Sequence, residues 1–168
     1  MIMKVVSKQR NSKMCIMCGL DNRSGVRAPF YNMEDGSVIT LFKYADIHQS
    51  YPGRVHGGLI TAMLDEMGLR ALWAKELCED SFGVTFGLQT KFRKPVPYGE
   101  PLIGMGKITH DSKNFFTADV ALYDKFGNKL ANGETNYIRL APEKIADGVV
   151  VHEEMCYLIP DEVKEIEL

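Results

Sequence analysis

From Gly57 to Leu77 the chain reads GGLITAMLDEMGLRALWAKEL, the one long helical segment in the sequence. Between Leu59 and Trp73 most residues are apolar, and at about 100° per residue they cover nearly every side. A helix that is apolar all round is a buried helix, so other elements must enclose it. Yet Asp65 and Glu66 sit in its middle. A carboxylate inside such a helix needs a reason.

Strand patterns flank the helix. Val26 to Met33 and Val38 to Tyr44 precede it, and Ser50-Tyr-Pro-Gly53 reads as a turn. Phe82 to Phe92, Leu102 to Thr109, Phe115 to Tyr123 and Lys129 to Leu140 follow it. Turns are expected at Glu34-Asp35-Gly36, near His110-Asp111 and at Asp124 to Asn128. The first 25 residues read as polar and irregular, and Pro160 to Leu168 as a short charged helix. Two strands, one buried helix and four strands joined by short turns predict an α+β fold, with a curved antiparallel sheet wrapped around a long central helix. The expected division is an irregular segment over 1–25, the folded domain over 26–142 and a tail over 143–168. Such a fold leaves sheet edges and a helix flank to cover, which predicts self-association.

Composition removes several functions. A chain of 168 residues has room for one proper core. Its net charge of −2 and pI of about 6.1 carry no basic excess for nucleic acid. No apolar run approaches the roughly 18 residues of a membrane span, and MIMKVVSKQR lacks a signal-peptide core, so a cytoplasmic location is expected. The four cysteines, Cys15, Cys18, Cys78 and Cys156, do not read as a disulfide framework. Cys15-Ile-Met-Cys18-Gly19 has the spacing of half a zinc knuckle, with His152 and Cys156 as a candidate second half. The simpler expectation is a small turn with two reduced, half-buried thiols and no metal.

The helix separates its two acids. At helical spacing Gly57, Gly58, Thr61, Asp65 and Gly68 share one stripe of small side chains. Glu66 lies well round from it and can pair with Arg70 one turn on, a contact worth a few tenths of a kcal/mol if exposed. Asp65 has no such partner within the helix. Glycines at the helix start leave N–H groups open to an anion or an oxyanion, and His56 stands just before them. Gly57 and Asp65 are about 12 Å apart along the axis, too far to act on one carbonyl carbon. Two antiparallel copies of the helix would bring Gly57 of one to Asp65 of the other, so any active site is expected to span a dimer. Plainer roles are packing for the glycines, a hydrogen-bonded core position for His56, and pairing of Asp65 with Lys91 or Arg93 from a strand.

His56-Gly57-Gly58 followed by Asp65 resembles the signature of hotdog-fold acyl-CoA thioesterases of the phenylacetate-pathway, PaaI-like, type. Tyr51-Pro52-Gly53, Phe92-Arg-Lys-Pro-Val-Pro97 and Cys15-Ile-Met-Cys18-Gly-Leu-Asp-Asn22 also resemble that family, and the similarity covers roughly residues 15 to 140. The resemblance implies hydrolysis of a CoA thioester to a carboxylic acid and free CoA, without metal or cofactor, in a homodimer or dimer of dimers. It implies that the Gly57 N–H polarises the carbonyl, that His56 orients the thioester or the helix-start loop, and that Asp65 of the neighbouring subunit is base or nucleophile. Thr85 is the nearest match to a water-positioning Ser or Thr. Many relatives carry an Asn where this chain has Ser50, with Gln49 beside it. Gly58, Gln49 and Ser50 are candidate substrate contacts. Lys91, Arg93 and Lys94 are candidate partners for CoA phosphates, and Met63, Met67, Leu88 and Trp73 candidate pocket residues. A non-catalytic acyl-CoA binder and an acyl-CoA hydratase or dehydratase are the alternatives.

Overall fold

The computed structural model describes residues 2–77, 81–146 and 151–168, without the side chain of His152. The apolar segment forms helix α1, Gly57–Glu76. His56 starts it: its backbone is extended and its imidazole Nδ1 accepts the Gly58 N–H at 2.9 Å. The helix ends where Leu77 turns into the left-handed region, φ 51°. Ile60, Met63, Leu64, Met67, Ala71, Leu72 and Trp73 are all buried. Among the described residues no helix is long and apolar enough to cross a membrane.

The strands are β1 (Ile2–Lys8), β2 (Phe30–Met33), β3 (Val38–Phe42), β4 (Gln49–Tyr51), β5 (Arg54–Val55), β6 (Gly83–Phe92), β7 (Leu102–Asp111), β8 (Phe115–Asp124), β9 (Lys129–Arg139) and β10 (Glu165–Glu167). Eight of them form one antiparallel sheet in the order β10-β1-β2-β3-β7-β8-β9-β6, while β4 and β5 make a small hairpin that leads into α1. A four-residue helix, α2 (Val151–Glu154), lies in the tail. Helix α1 packs mainly on β7, β8 and β9. A Cβ at Gly104 or Gly106 of β7 would run into Met67, so these glycines set how closely helix and sheet approach. The result is a long central helix held by a large antiparallel sheet, as the strand order implies.

The structure corrects both termini. The first 25 residues are not wholly irregular, because β1 pairs with β2 and β10. The tail after Pro160 is not a helix: Glu165-Ile166-Glu167 is a strand, with Ile166 buried beside Met3, Tyr31, Met33 and Ile39. Period-two alternation in so short a segment is set by a partner strand far away in sequence. Two smaller shifts follow the same logic. Only Phe30–Met33 of the first expected strand is paired, and β7 continues through Asp111, so its turn falls later than expected.

Candidate active site

Asp65 lies on the flank of α1 that faces β6 and β9. Its Oδ1 accepts hydrogen bonds from the Thr85 hydroxyl at 2.8 Å and from the Tyr137 phenol at 3.1 Å. The same phenol also donates to the Asp65 backbone carbonyl at 2.5 Å. No described residue donates to Oδ2, and Asp65 is only half-buried. Thr85 comes from β6 and Tyr137 from β9, and Thr85 is paired with Tyr137 across those strands. Gly68, one turn beyond Asp65, makes the contact feasible: a Cβ there would collide with the Tyr137 hydroxyl and the Thr135 side chain. Burial raises the Asp65 carboxyl above its ordinary range, with the neighbouring Glu66 charge adding to the rise; the Thr85 and Tyr137 hydrogen bonds act in the opposite direction. Burial likewise raises the Tyr137 phenol, so it stays a donor.

Among the described residues no basic side chain meets Asp65, neither Lys91 nor Arg93. Sequence reasoning offered Thr85 only through resemblance, as a water-positioning residue and not as a partner of Asp65, and missed Tyr137 altogether. Local pattern holds no signal for it, since 72 residues separate the two.

The other half of the candidate site is the helix start. His56 is exposed, so it is no core histidine, and its backbone N–H is held by the His48 carbonyl. His48 is itself buried, its Nδ1 accepting the Ala45 N–H and its Nε2 2.8 Å from the Ser24 carbonyl. The two glycine amides differ. The Gly58 N–H is taken by His56, which corrects the expectation that both are open. The Gly57 N–H has no acceptor among the described residues. Gly57 borders a groove of about 350 Å³ with Arg54, Ile60, Phe92, Arg93 and Lys94.

The expected basic residues divide. Arg93 and Lys94 are exposed at this groove, where they also reach Asn132 at 2.9 Å and Asn128 at 3.2 Å. Lys91 lines a separate groove of about 680 Å³ with Lys107, Asp119, Tyr123 and Glu134. Gln49 and Ser50 are exposed on β4, and no described residue hydrogen-bonds either side chain. Of the expected pocket residues, Met63, Met67 and Trp73 are core, each at most 1% exposed, which removes them from any open pocket. Leu88, on β6, is 37% exposed.

Glu66 and Arg70 form the expected pair, Nε to Oε1 at 2.9 Å, but not on the surface. Arg70 is fully buried between the Phe30 and Trp73 rings, each 4.6 Å from its guanidinium. It also donates to the Arg10 carbonyl at 2.7 Å and to Gln9 Oε1 at 3.3 Å. The covering elements are β1 and the loop after it, which the sequence left irregular. Cys15 and Cys18 lie in that loop, near Glu66. Cys156 is exposed and outside their cluster, and the side chain of His152 is outside the described residues.

Comparison with known proteins agrees with this geometry. The thioesterase superfamily model matches residues 52–131, which contain α1, Asp65, Thr85 and the helix start. A crystal structure of a thioesterase superfamily protein is 25% identical, with a TM-score of 0.66 over 74% of this chain and 63% of that one. This chain therefore spans under two thirds of that protein's length. The E. coli PaaI protein from the phenylacetic acid degradation operon is 15% identical, with a TM-score of 0.61 over 69% and 81% of the two chains. A hypothetical thioesterase protein from Streptococcus pneumoniae, solved with coenzyme A, is 18% identical, with a TM-score of 0.61 over 68% and 86%. No curated protein matches the sequence significantly.

Proposed function

We propose that the chain, whose residues 52–131 match the thioesterase superfamily model and which has the hotdog fold, is a PaaI-like acyl-CoA thioesterase, which hydrolyses a CoA thioester to a carboxylic acid and free CoA. The observation that carries this reading is Asp65. Thr85 and Tyr137 fix one carboxylate oxygen, and the other, on a half-open flank, has no donor among the described residues.

The proposed site takes two copies of the chain. Within one copy Gly57 and Asp65 are about 12 Å apart along α1. Among the described residues strand β6 is paired on one side only, and it exposes Val84, Phe86, Leu88 and Phe92. An unpaired edge with apolar side chains is a surface a second copy can complete. Packed antiparallel there, one copy's Gly57 meets the partner subunit's Asp65, in a homodimer or a dimer of dimers.

In this reading the thioester carbonyl oxygen accepts the Gly57 N–H, which stabilises the charge that develops on that oxygen. Asp65 takes a proton from the attacking water, or attacks the carbonyl itself. Thr85 holds the carboxylate in position. The C–S bond breaks and CoA leaves as a thiolate, a good leaving group. His56 fixes the helix start through Gly58, and Arg93 and Lys94 meet the anionic CoA phosphates. Gln49, Ser50 and Gly58 line the approach. The reaction needs no cofactor and belongs in the cytoplasm.

Thiol release from short, long and aromatic acyl-CoAs tests this, with wild type beside Asp65→Asn. Turnover by wild type that disappears in the variant is the expected result. Binding of CoA esters without thiol release would replace the hydrolase with a non-catalytic binder. Hydration of an enoyl-CoA would point to the hydratase instead.

A further inference from the structure

The Cys15-x-x-Cys18-Gly19 loop is built as a ligand knuckle. Cys15 Sγ accepts the Met17 N–H at 3.3 Å and the Cys18 N–H at 3.5 Å. A Cβ at Gly19 would collide with the backbone of Cys15 and Met14, so the turn requires glycine. Buried neighbours pin the loop from beneath. Asn11 donates to the Cys18 and Ala28 carbonyls at 2.7 and 3.0 Å, and Ser12 Oγ accepts the Cys15 N–H at 3.0 Å and lies 3.3 Å from Cys18 Sγ. The thiols thus stand on a rigid base with backbone donors aimed at sulfur.

The third member comes from α1. Glu66 Oε2 is 3.7 Å from Cys15 Sγ, and the two sulfurs and a Glu66 oxygen all lie within 4.8 Å of one another. Bond lengths of about 2.3 Å to sulfur and about 2.0 Å to oxygen place tetrahedral ligand atoms roughly 3.5–3.8 Å apart, so the cluster is close to ligand spacing. Arg70 holds Glu66 by Oε1 and so directs Oε2 to the cysteines, as an outer partner orients a metal ligand. Charge points the same way. Two thiolates, one carboxylate and buried Arg70 sum to −2, which one divalent cation neutralises.

We propose that Cys15, Cys18 and Glu66 bind one zinc-class divalent cation, with water as fourth ligand, and that the ion fastens the N-terminal loop to the back of α1. Thiolate ligands select a cation of this kind over magnesium or calcium. Binding releases the two thiol protons to solvent, and no electrons move. Glu66 lies on a different flank of α1 from Asp65, so the ion's role is structural and separate from the proposed hydrolysis. In this proposal Glu66, rather than Cys156, is the third protein ligand.

The test uses the full chain, stripped of metal and kept reduced. Zinc is titrated against a chromophoric chelator, and Co²⁺ is followed by absorption. The expected result is one equivalent of metal, sulfur-to-cobalt charge-transfer bands, the strong visible bands of a four-coordinate site, and a higher melting temperature with zinc. Cys15→Ser and Cys18→Ser should each weaken zinc binding at least tenfold and reduce the charge-transfer band. Glu66→Gln should keep that band while weakening zinc. If Glu66→Gln fails to fold because Arg70 has lost its carboxylate, the cysteine variants decide. Cys156→Ser should change nothing. No stoichiometric binding, or binding unchanged in both Cys15→Ser and Cys18→Ser, overturns the site. A reduced protein that ignores zinc but forms a Cys15–Cys18 disulfide in air would make the knuckle a redox pair and also overturns it.

Discussion

Asp65 and Glu66 are neighbours in sequence on one helix, yet they have opposite surroundings. Asp65 faces β6 and β9, where two hydroxyls hold one oxygen and no described residue donates to the other. Glu66 faces the loop after β1 and is committed to a fully buried guanidinium. A step of about 100° around the helix makes the difference. One flank is left open for chemistry, and the other is sealed by the N-terminal segment.

The largest effect expected from this contrast is catalytic. Asp65→Asn keeps shape and hydrogen-bonding capacity but removes the base, so turnover should fall by about 10²–10⁴-fold, the usual contribution of a positioned base. The melting temperature should change little. Glu66→Gln should leave far more turnover, measured in the same thiol-release assay. Equal losses in the two variants would erase the distinction between the flanks.

Next comes stability on the sealed side. Arg70→Ala strips Glu66 of its partner and opens a void between Phe30 and Trp73. Breaking a buried pair of this kind costs about 3–5 kcal/mol. Urea unfolding should show that loss, against the few tenths of a kcal/mol of a surface pair. A loss below about 1 kcal/mol would mean that the N-terminal segment does not seal this flank in solution.

A smaller effect sharpens the open side. Tyr137→Phe removes the donor to the Asp65 carbonyl and to Oδ1 while Thr85 remains. Stability should drop by about 1 kcal/mol in urea unfolding. Turnover should fall by less than in Asp65→Asn, since the carboxylate itself survives. An unchanged turnover would leave Thr85 as the one positioning side chain.

The smallest effect lies away from both flanks. Burial raises the Asp111 carboxyl, but hydrogen bonds from Lys75 and Arg139 outweigh it and hold the group below its ordinary range. A carboxyl with a depressed folded value contributes stability above its unfolded value, near pH 4, and loses it as pH falls through the folded one. Asp111→Asn should therefore flatten the acid side of the stability profile below about pH 4, by a small amount because the group is near the surface. Thermal unfolding at a series of acid pH values reads this, and parallel profiles would assign no such role to Asp111.

Much of the core and part of the site are legible without coordinates, and the reason is locality. The 3.6-residue period makes α1 readable and predicts that the helix is enclosed. The same period separates Asp65 from Glu66 and pairs Glu66 with Arg70. The β8–β9 hairpin is readable from Asp124 and Gly127 at its turn. Where reading fails, the deciding contact is remote. Glu165-Ile166-Glu167 looks like charged helix until β1 supplies a partner strand. Met63, Met67 and Trp73 look like pocket lining until the sheet closes over them. Tyr137 gives no sign that its hydroxyl reaches Asp65.

By itself, then, the sequence determined the enclosed helix, the succession of β2, β3 and β6 to β9 along the chain, and the spacing of Gly57 from Asp65, because each is read from residues close in the chain. Tertiary structure alone decided that Thr85 and Tyr137 hold one oxygen of Asp65, that Arg70 is buried rather than surface-paired, and that Cys15 and Cys18 face Glu66. Those outcomes depend on β1, β6 and β9 arriving from distant parts of the chain, and no local periodicity encodes which side chain a remote strand will place against the helix.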